Sequence, residues 1–217
     1  MATSNVCAGV LKKSRQALER CEVQRATFAH QVSQIAVEKL VFLDECGFSL
    51  NLHRLYGWVV GGGRCLEKVP FNKGVNRSVL GAFSLPTPQC PTGMRALWQK
   101  RGAWTRDTFE LFLQDGLLPL LEPGSVLVLD NARIHHGGEI AALVERAGCS
   151  LLYLPPYSPD FSPIELAWGW IKAKVRSLAP RDDAARERDI HLASLWLPTT
   201  AATNWFRHCG LKPPYSD

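Results

Sequence analysis

The chain has 217 residues, 46% of them hydrophobic, which suffices for one large domain with a sizeable core and excludes a disordered polar segment. A net charge of +5 and a pI near 8.9 permit a polyanionic partner without demanding one. Seven cysteines, odd in number and without a Cys-x-x-Cys pair, argue against a zinc finger or a disulfide framework and for a reducing cytosol. No signal-peptide core is visible, and no run approaches the roughly 18 apolar residues of a membrane span.

Residues 1–37 mix charges with Leu11, Leu18, Val23, Phe28 and Val32 and read as a helical lead-in. The run from Lys39 is apolar on both faces until Asp44 and Glu45, as in a central strand of a covered sheet. Residues 50–60 and 64–69 flank Gly61, Gly62 and Gly63, which can supply positive φ, so a hairpin is expected there. Residues 75–84 read as a further strand and 86–93 as a loop. Thr105 caps a helix with Asp107 in its first turn and Phe109, Phe112 and Leu113 on its apolar face. After the Glu122-Pro123-Gly124 turn, residues 125–129 repeat the first strand's pattern and end in Asp130. Residues 137–147 read as a helix closed by Gly148, and 151–154 as a short strand.

Pro155, Pro156 and Pro159 then fix φ and remove backbone donors, which makes a stiff connector outside sheet and helix. Ser162 stands at an N-cap, Pro163 at the first helical position, and Glu165 three residues after the cap. At helical spacing Glu165, Gly169, Lys172 and Arg176 share one face, beside an apolar stripe of Ala167, Trp168, Ile171 and Val175. Ser-x-x-Glu is equally the pattern of a capping box, in which Glu165 would bond back to the Ser162 N–H. Lys172 and Arg176 are equally the pattern of a solvated basic face. Residues 181–189 read as helix, interrupted later by Pro198. The division expected is a lead-in (1–37), a central domain (38–180) and a C-terminal helical tail (181–217).

Strands followed by alternating helix and strand imply an α/β mixed sheet flanked by helices, with ligands at the carboxyl ends of its strands. Asp44 and Asp130 both occupy such ends. If their strands are neighbours the carboxylates lie side by side, and Glu165 enters over the same edge. Three like charges must retain protons or bind cations. Oxygen-only ligands select Mg2+ or Mn2+ over zinc, and two such ions about 4 Å apart serve phosphoryl transfer. Each aspartate alone is also a turn former, and Asp130-Asn131 fits an Asx turn. Glu45 is a secondary ligand candidate, because strand alternation turns it away from Asp44.

Four stretches carry a resemblance. Phe42-Leu43-Asp44-Glu45-Cys46-Gly47-Phe48, Tyr56-Gly57-Trp58, Leu129-Asp130-Asn131-Ala132-Arg133-Ile134-His135 and the proline block from Leu154 to Glu165 together resemble the catalytic domain of insertion-sequence transposases of the IS630 and Tc1/mariner superfamily. The 34 residues between Asp130 and Glu165 match that group's spacing, and the similarity runs from about Leu11 to Cys209. The resemblance implies a ribonuclease H-like fold with Asp44, Asp130 and Glu165 as an acidic triad that binds Mg2+ or Mn2+. It further implies hydrolysis at the element's ends and attack of the freed 3′-hydroxyl on target DNA, commonly at TA. DNA is then the partner, with Lys172 and Arg176 as phosphate contacts and Tyr56 and Trp58 stacking on bases; hairpin aromatics also serve simply as packing. A homodimer or a full-length transposase is the expected protein partner, and the bacterial cytoplasm, at the nucleoid, the location. His135 follows the second aspartate as a family histidine does, beside a simpler reading as a loop histidine bonded to backbone, and Asn131 is a further secondary candidate. Residues before Lys39 are too few for the family's helix-turn-helix modules, so the alternative expectation is a truncated, non-catalytic remnant that binds DNA or a full-length transposase. A nuclease acting on RNA–DNA hybrids follows from the fold alone.

Overall fold

The apolar run from Leu40 becomes β1 (Leu40–Phe48), the central strand of a five-stranded sheet in a computed structural model that describes residues 17–54 and 56–213. β1 pairs antiparallel with β2 (Arg77–Ser84), which pairs antiparallel with β3 (Met94–Arg101). On its other side β1 pairs parallel with β4 (Val126–Leu129), and β4 pairs parallel with β5 (Ser150–Tyr153), giving the order β3-β2-β1-β4-β5. Both faces are covered, as the two-sided apolar run requires.

Alternation along β1 splits the core in two. Phe42, Cys46 and Phe48 face a cluster built on α4 (Pro163–Leu178), whose Ile164, Ala167, Trp168, Ile171 and Val175 are buried. Phe28 and Val32 of α1 (Glu22–Ser33), Ile190 and Ala193 of α5 (Asp183–Leu195), and Ala202 and Phe206 of α6 (Thr199–His208) join the same cluster. The segments expected as lead-in and tail therefore pack on this face of the sheet. Val41 and Leu43 face the second cluster, formed with α2 (Arg106–Leu111), the wide helical turn at Phe112–Leu117, and α3 (Ile140–Arg146).

Several sequence expectations change. The lead-in helix occupies Glu22–Ser33, and its expected part in residues 1–16 lies outside the described residues. β1 does not stop at the two carboxylates but continues to Phe48, because β2 keeps pairing with it after β4 has ended. The expected hairpin between 50 and 69 forms its turn, with Gly61 and Gly62 at φ of 84° and 75°, but its flanks do not pair into strands. An isolated two-stranded ribbon needs a face to bury; here Tyr56, Trp58, Val60, Leu66 and Phe71 are all exposed. β3 was not expected, since its alternating polar side chains suit an edge strand. α3 starts late because Gly137 and Gly138 take positive φ. The proline connector contains one tight turn, Pro159–Phe161. Pro198 does not interrupt a helix; it stands at the N-cap of α6.

Candidate active site

Phe42 of β1 lies opposite Val128 of β4 in the parallel register, and Asp44 and Asp130 each sit two residues beyond that pair. Parallel neighbours keep the same facing at the same level, so both carboxylates reach one edge of the sheet. Glu165 arrives from the first turn of α4, where Ser162 is the N-cap and Pro163 opens the helix. The Ser162 hydroxyl makes no cap bond, and the Glu165 N–H donates to the Ser162 carbonyl (3.2 Å). The capping-box reading of Glu165 therefore does not hold, and its side chain is left exposed. Asp44, Asp130 and Glu165 line one cleft of about 400 Å3, walled by Asn131, Leu154 and the proline segment from Pro155 to Pro159. An apolar hollow of about 410 Å3 between α1 and residues 209–212 shares no lining residue with it.

The two aspartates differ in electrostatics. Burial pushes the Asp44 carboxyl up to about 7, helped by the negative charge of Glu165 and, less, of Asp130. Asp130 is held below the usual carboxylate range, chiefly by a hydrogen bond from His135. His135 is buried against Phe109 (ring centroids 4.6 Å apart), and its Nδ1 lies 2.6 Å from Asp130 Oδ1. Its backbone contact, Nδ1 to the Asp130 carbonyl at 3.3 Å, is the longer one. The loop-histidine reading is thus incomplete, because the imidazole chiefly braces a carboxylate. Asp130 Oδ1 also accepts from the Ala132 N–H (3.0 Å), the Asx turn expected of Asp130-Asn131. Asn131 donates to the Leu154 carbonyl (3.1 Å), tying the exit of β4 to the end of β5.

Glu45 leaves β1 on the other face, half-buried, with its carboxyl raised by burial and within electrostatic reach of His135, Asp130 and Lys100. Lys172 is half-buried beside Cys46 and over the Phe48 ring (5.9 Å). Arg176, one turn further along α4, borders a shallow hollow of about 450 Å3 with Asn51, Leu52, His53 and Tyr56. Trp58 is exposed further out on the same arm, which carries Arg54, Arg64, Lys68 and Lys73. Arg181 ties that arm to the end of α4 through Glu67 (3.2 Å) and the Lys68 carbonyl.

Trp168, read from sequence as packing, donates its indole N–H to Asp44 Oδ2 (3.0 Å). The signal was present: a tryptophan on a buried stripe brings an N–H that seeks an acceptor. Arg25, also unremarked, makes a two-pronged bond to Asp160 (3.0 and 2.5 Å) and lies over the Phe161 ring (4.0 Å), bracing the turn before Glu165.

The donor set fits a hard divalent cation. Every donor is a carboxylate oxygen, and the Asp44 carboxyl is raised by burial and by two like-charged neighbours, a stress that a cation would relieve. Among the described residues no three His, Cys, Asp or Glu side chains already converge into a coordination shell. Asp44 and Asp130 are instead engaged by Trp168 and His135. Among the described residues no helix is long and apolar enough to cross a membrane.

The family described as "DDE superfamily endonuclease" matches residues 39–186. No curated protein matches the chain. Among solved structures, the mariner Mos1 paired-end complex with Mg is 14% identical, with a TM-score of 0.67 over 94% of this chain and 66% of that one. The Mos1 transposase catalytic domain with Raltegravir and Mg is 12% identical, with a TM-score of 0.58 over 92% of this chain and 94% of that one. The Mos1 paired-end complex with the left transposon end is 16% identical at a TM-score of 0.55, and this chain covers 66% of its transposase, just under two thirds. At these identities the likeness establishes the fold, a mixed five-stranded sheet flanked by helices of the ribonuclease H-like kind found in transposase catalytic cores.

Proposed function

This chain belongs to the DDE superfamily of endonucleases, and from that premise we propose that it is the catalytic part of an IS630-type transposase that cuts DNA at the ends of an insertion sequence and joins them to target DNA. The observation that carries the reading is that Asp44, Asp130 and Glu165 line one cleft, with the Asp44 carboxyl pushed up to about 7 by burial and by its acidic neighbours. In the cutting step a water oxygen attacks phosphorus and the bond to the DNA 3′-oxygen breaks, that oxygen leaving as a 3′-hydroxyl; in the joining step the 3′-hydroxyl gives up its proton, attacks a target phosphorus and displaces the target strand's own 3′-oxygen, which takes up a proton. Neither step needs a covalent bond to the protein, only in-line placement and compensation of charge.

Asp44, Asp130 and Glu165 would hold Mg2+ or Mn2+, two ions on this reading, which supply Lewis-acid stabilisation of the attacking and leaving oxygens. His135 keeps the Asp130 carboxylate ionised and fixed, and Asn131 anchors the loop beneath it. Lys172 and Arg176 continue from Glu165 along α4 toward Tyr56, an arrangement suited to a phosphate backbone leaving the cleft, with Tyr56 and Trp58 as stacking surfaces. On this reading the protein acts on bacterial nucleoid DNA, as a homodimer or beside a full-length transposase. Purified protein given an element-end duplex and Mg2+ or Mn2+ is expected to nick it, and Asp130→Asn to abolish nicking. Undiminished nicking by that variant contradicts the reading.

A second reading, a non-catalytic chain that binds DNA or a full-length transposase, draws support from the exposed arm. Its Tyr56, Trp58, Val60, Leu66 and Phe71 are exposed apolar side chains, available to a protein or DNA partner on this reading. Salt-sensitive DNA binding without any Mn2+ site distinguishes it.

A further inference from the structure

Trp168 is almost fully buried, and the end of its six-membered ring lies over Gly81 of β2, the residue paired with Asp44 across the β1–β2 ladder. A Cβ at Gly81 would stand 2.6 Å from Trp168 Cη2 and 2.8 Å from Cζ2, so β2 lacks a side chain where the indole passes. The ring is thereby aimed along β1, and its Nε1 donates to Asp44 Oδ2 at 3.0 Å. Packing alone does not account for that bond, since a phenylalanine or leucine would fill an apolar stripe without an N–H. Nor is a bonded indole automatic in this core: Trp104 Nε1 is buried without a partner.

A carboxylate has two oxygens and about four lone-pair directions. The N–H on Oδ2, together with a backbone hydrogen bond from Glu45, holds the Asp44 carboxylate in one orientation at the lining of the cleft. Trp168 lies three residues after Glu165 on α4, one residue buried and the other exposed. We infer that Trp168 is a positioning residue for Asp44, so that a single rigid helix presents the third acid of the cleft and sets the aim of the first. The inference rests on the reading of Asp44 as an ion-holding acid, and it concerns how that acid is oriented.

The test replaces Trp168 with β-(3-benzothienyl)alanine, which keeps the bicyclic shape and exchanges N–H for sulfur, in the full chain. Trp168→Phe serves as an encoded counterpart and Asp44→Ala as the reference. Mn2+ affinity is read by electron paramagnetic resonance titration, beside the thermal midpoint and the indole N–H resonances of the ion-free protein. The benzothienyl variant is expected to melt within a few degrees of wild type yet to bind Mn2+ roughly tenfold more weakly, the scale seen when a partner of a metal ligand is lost. The indole resonance missing from Trp168→Phe is expected to move upfield in Asp44→Ala. Wild-type Mn2+ affinity in the benzothienyl variant, together with loss of binding in Asp44→Ala, overturns the inference and leaves the site reading standing. Wild-type affinity in Asp44→Ala overturns the site reading and the inference with it. An indole resonance indifferent to Asp44→Ala overturns the hydrogen bond itself.

Discussion

Asp44→Asn should make the ion-free protein more stable at pH 8 than wild type, by an amount that grows with pH. The folded-state carboxyl titrates near 7 against an ordinary 3.8, because burial and then the charges of Glu165 and Asp130 disfavour its ionised form. Between those values the folded protein binds more protons at Asp44 than the unfolded chain, so stability falls as pH rises. The contribution is intact below the unfolded value and is lost as pH climbs through about 7. At about 1.4 kcal/mol per pH unit, the interval amounts to roughly 4 kcal/mol. An asparagine is neutral throughout and escapes this penalty. Asp160 and Asp183, which are held by arginines away from Asp44, titrate in both proteins and cancel in the difference. Urea unfolding with a chelator at pH 4 and pH 8 measures it. Millimolar Mg2+ should restore wild type at pH 8 far more than at pH 4, where protons compete for the site. A stability difference between the two proteins that does not change with pH refutes the account of a buried, charge-stressed carboxylate.

Gly81→Ala forces a methyl group into the Trp168 ring and should destabilise by about 1–3 kcal/mol in urea unfolding; equal stability would mean the indole moves freely. A double-mutant cycle on Arg25→Ala and Asp160→Asn should give a coupling of about 1 kcal/mol at pH 7, modest because the Asp160 carboxylate is half-exposed. Arg25 holds the Asp160 carboxyl below its usual range, so this coupling should persist above the ordinary carboxylate value and vanish as pH falls through the depressed one. Ala179 ends α4 at φ 52°, and Ala179→Gly should stabilise by about 0.5–1 kcal/mol in the same assay. Lys172→Ala and Arg176→Ala should weaken DNA binding evenly across sequences, and each should flatten the slope of log affinity against log salt by about 0.9 in fluorescence anisotropy.

The parts of this fold that sequence made plain are those where one local signal has one structural solution. The two-sided apolar run before Asp44 and its repeat before Asp130 could only be covered strands, and Ser162-Pro163 could only open a helix. What escaped depends on partners distant in the chain. β3 is an edge strand whose exposed Arg101 and half-buried Lys100 conceal its pairing with β2. The arm around Gly61 carries turn chemistry and aromatic residues, yet no face on which to lie. Asp44 looked like a strand end because the local text cannot reveal that β2 carries β1 on to Phe48. That Asp44, Asp130 and Glu165 would line one cleft was legible from their placement in the chain. The supports under them were not, since Trp168 lies 124 residues from Asp44 in sequence and Arg25 lies 135 from Asp160.

Anomalous diffraction from crystals soaked in Mn2+ tests most directly whether the three acids share an ion. The account predicts Mn2+ density in the cleft, ligated by oxygens of Asp44 and Asp130 and within reach of Glu165. Density elsewhere, with an empty cleft in a protein that still nicks DNA, would contradict it.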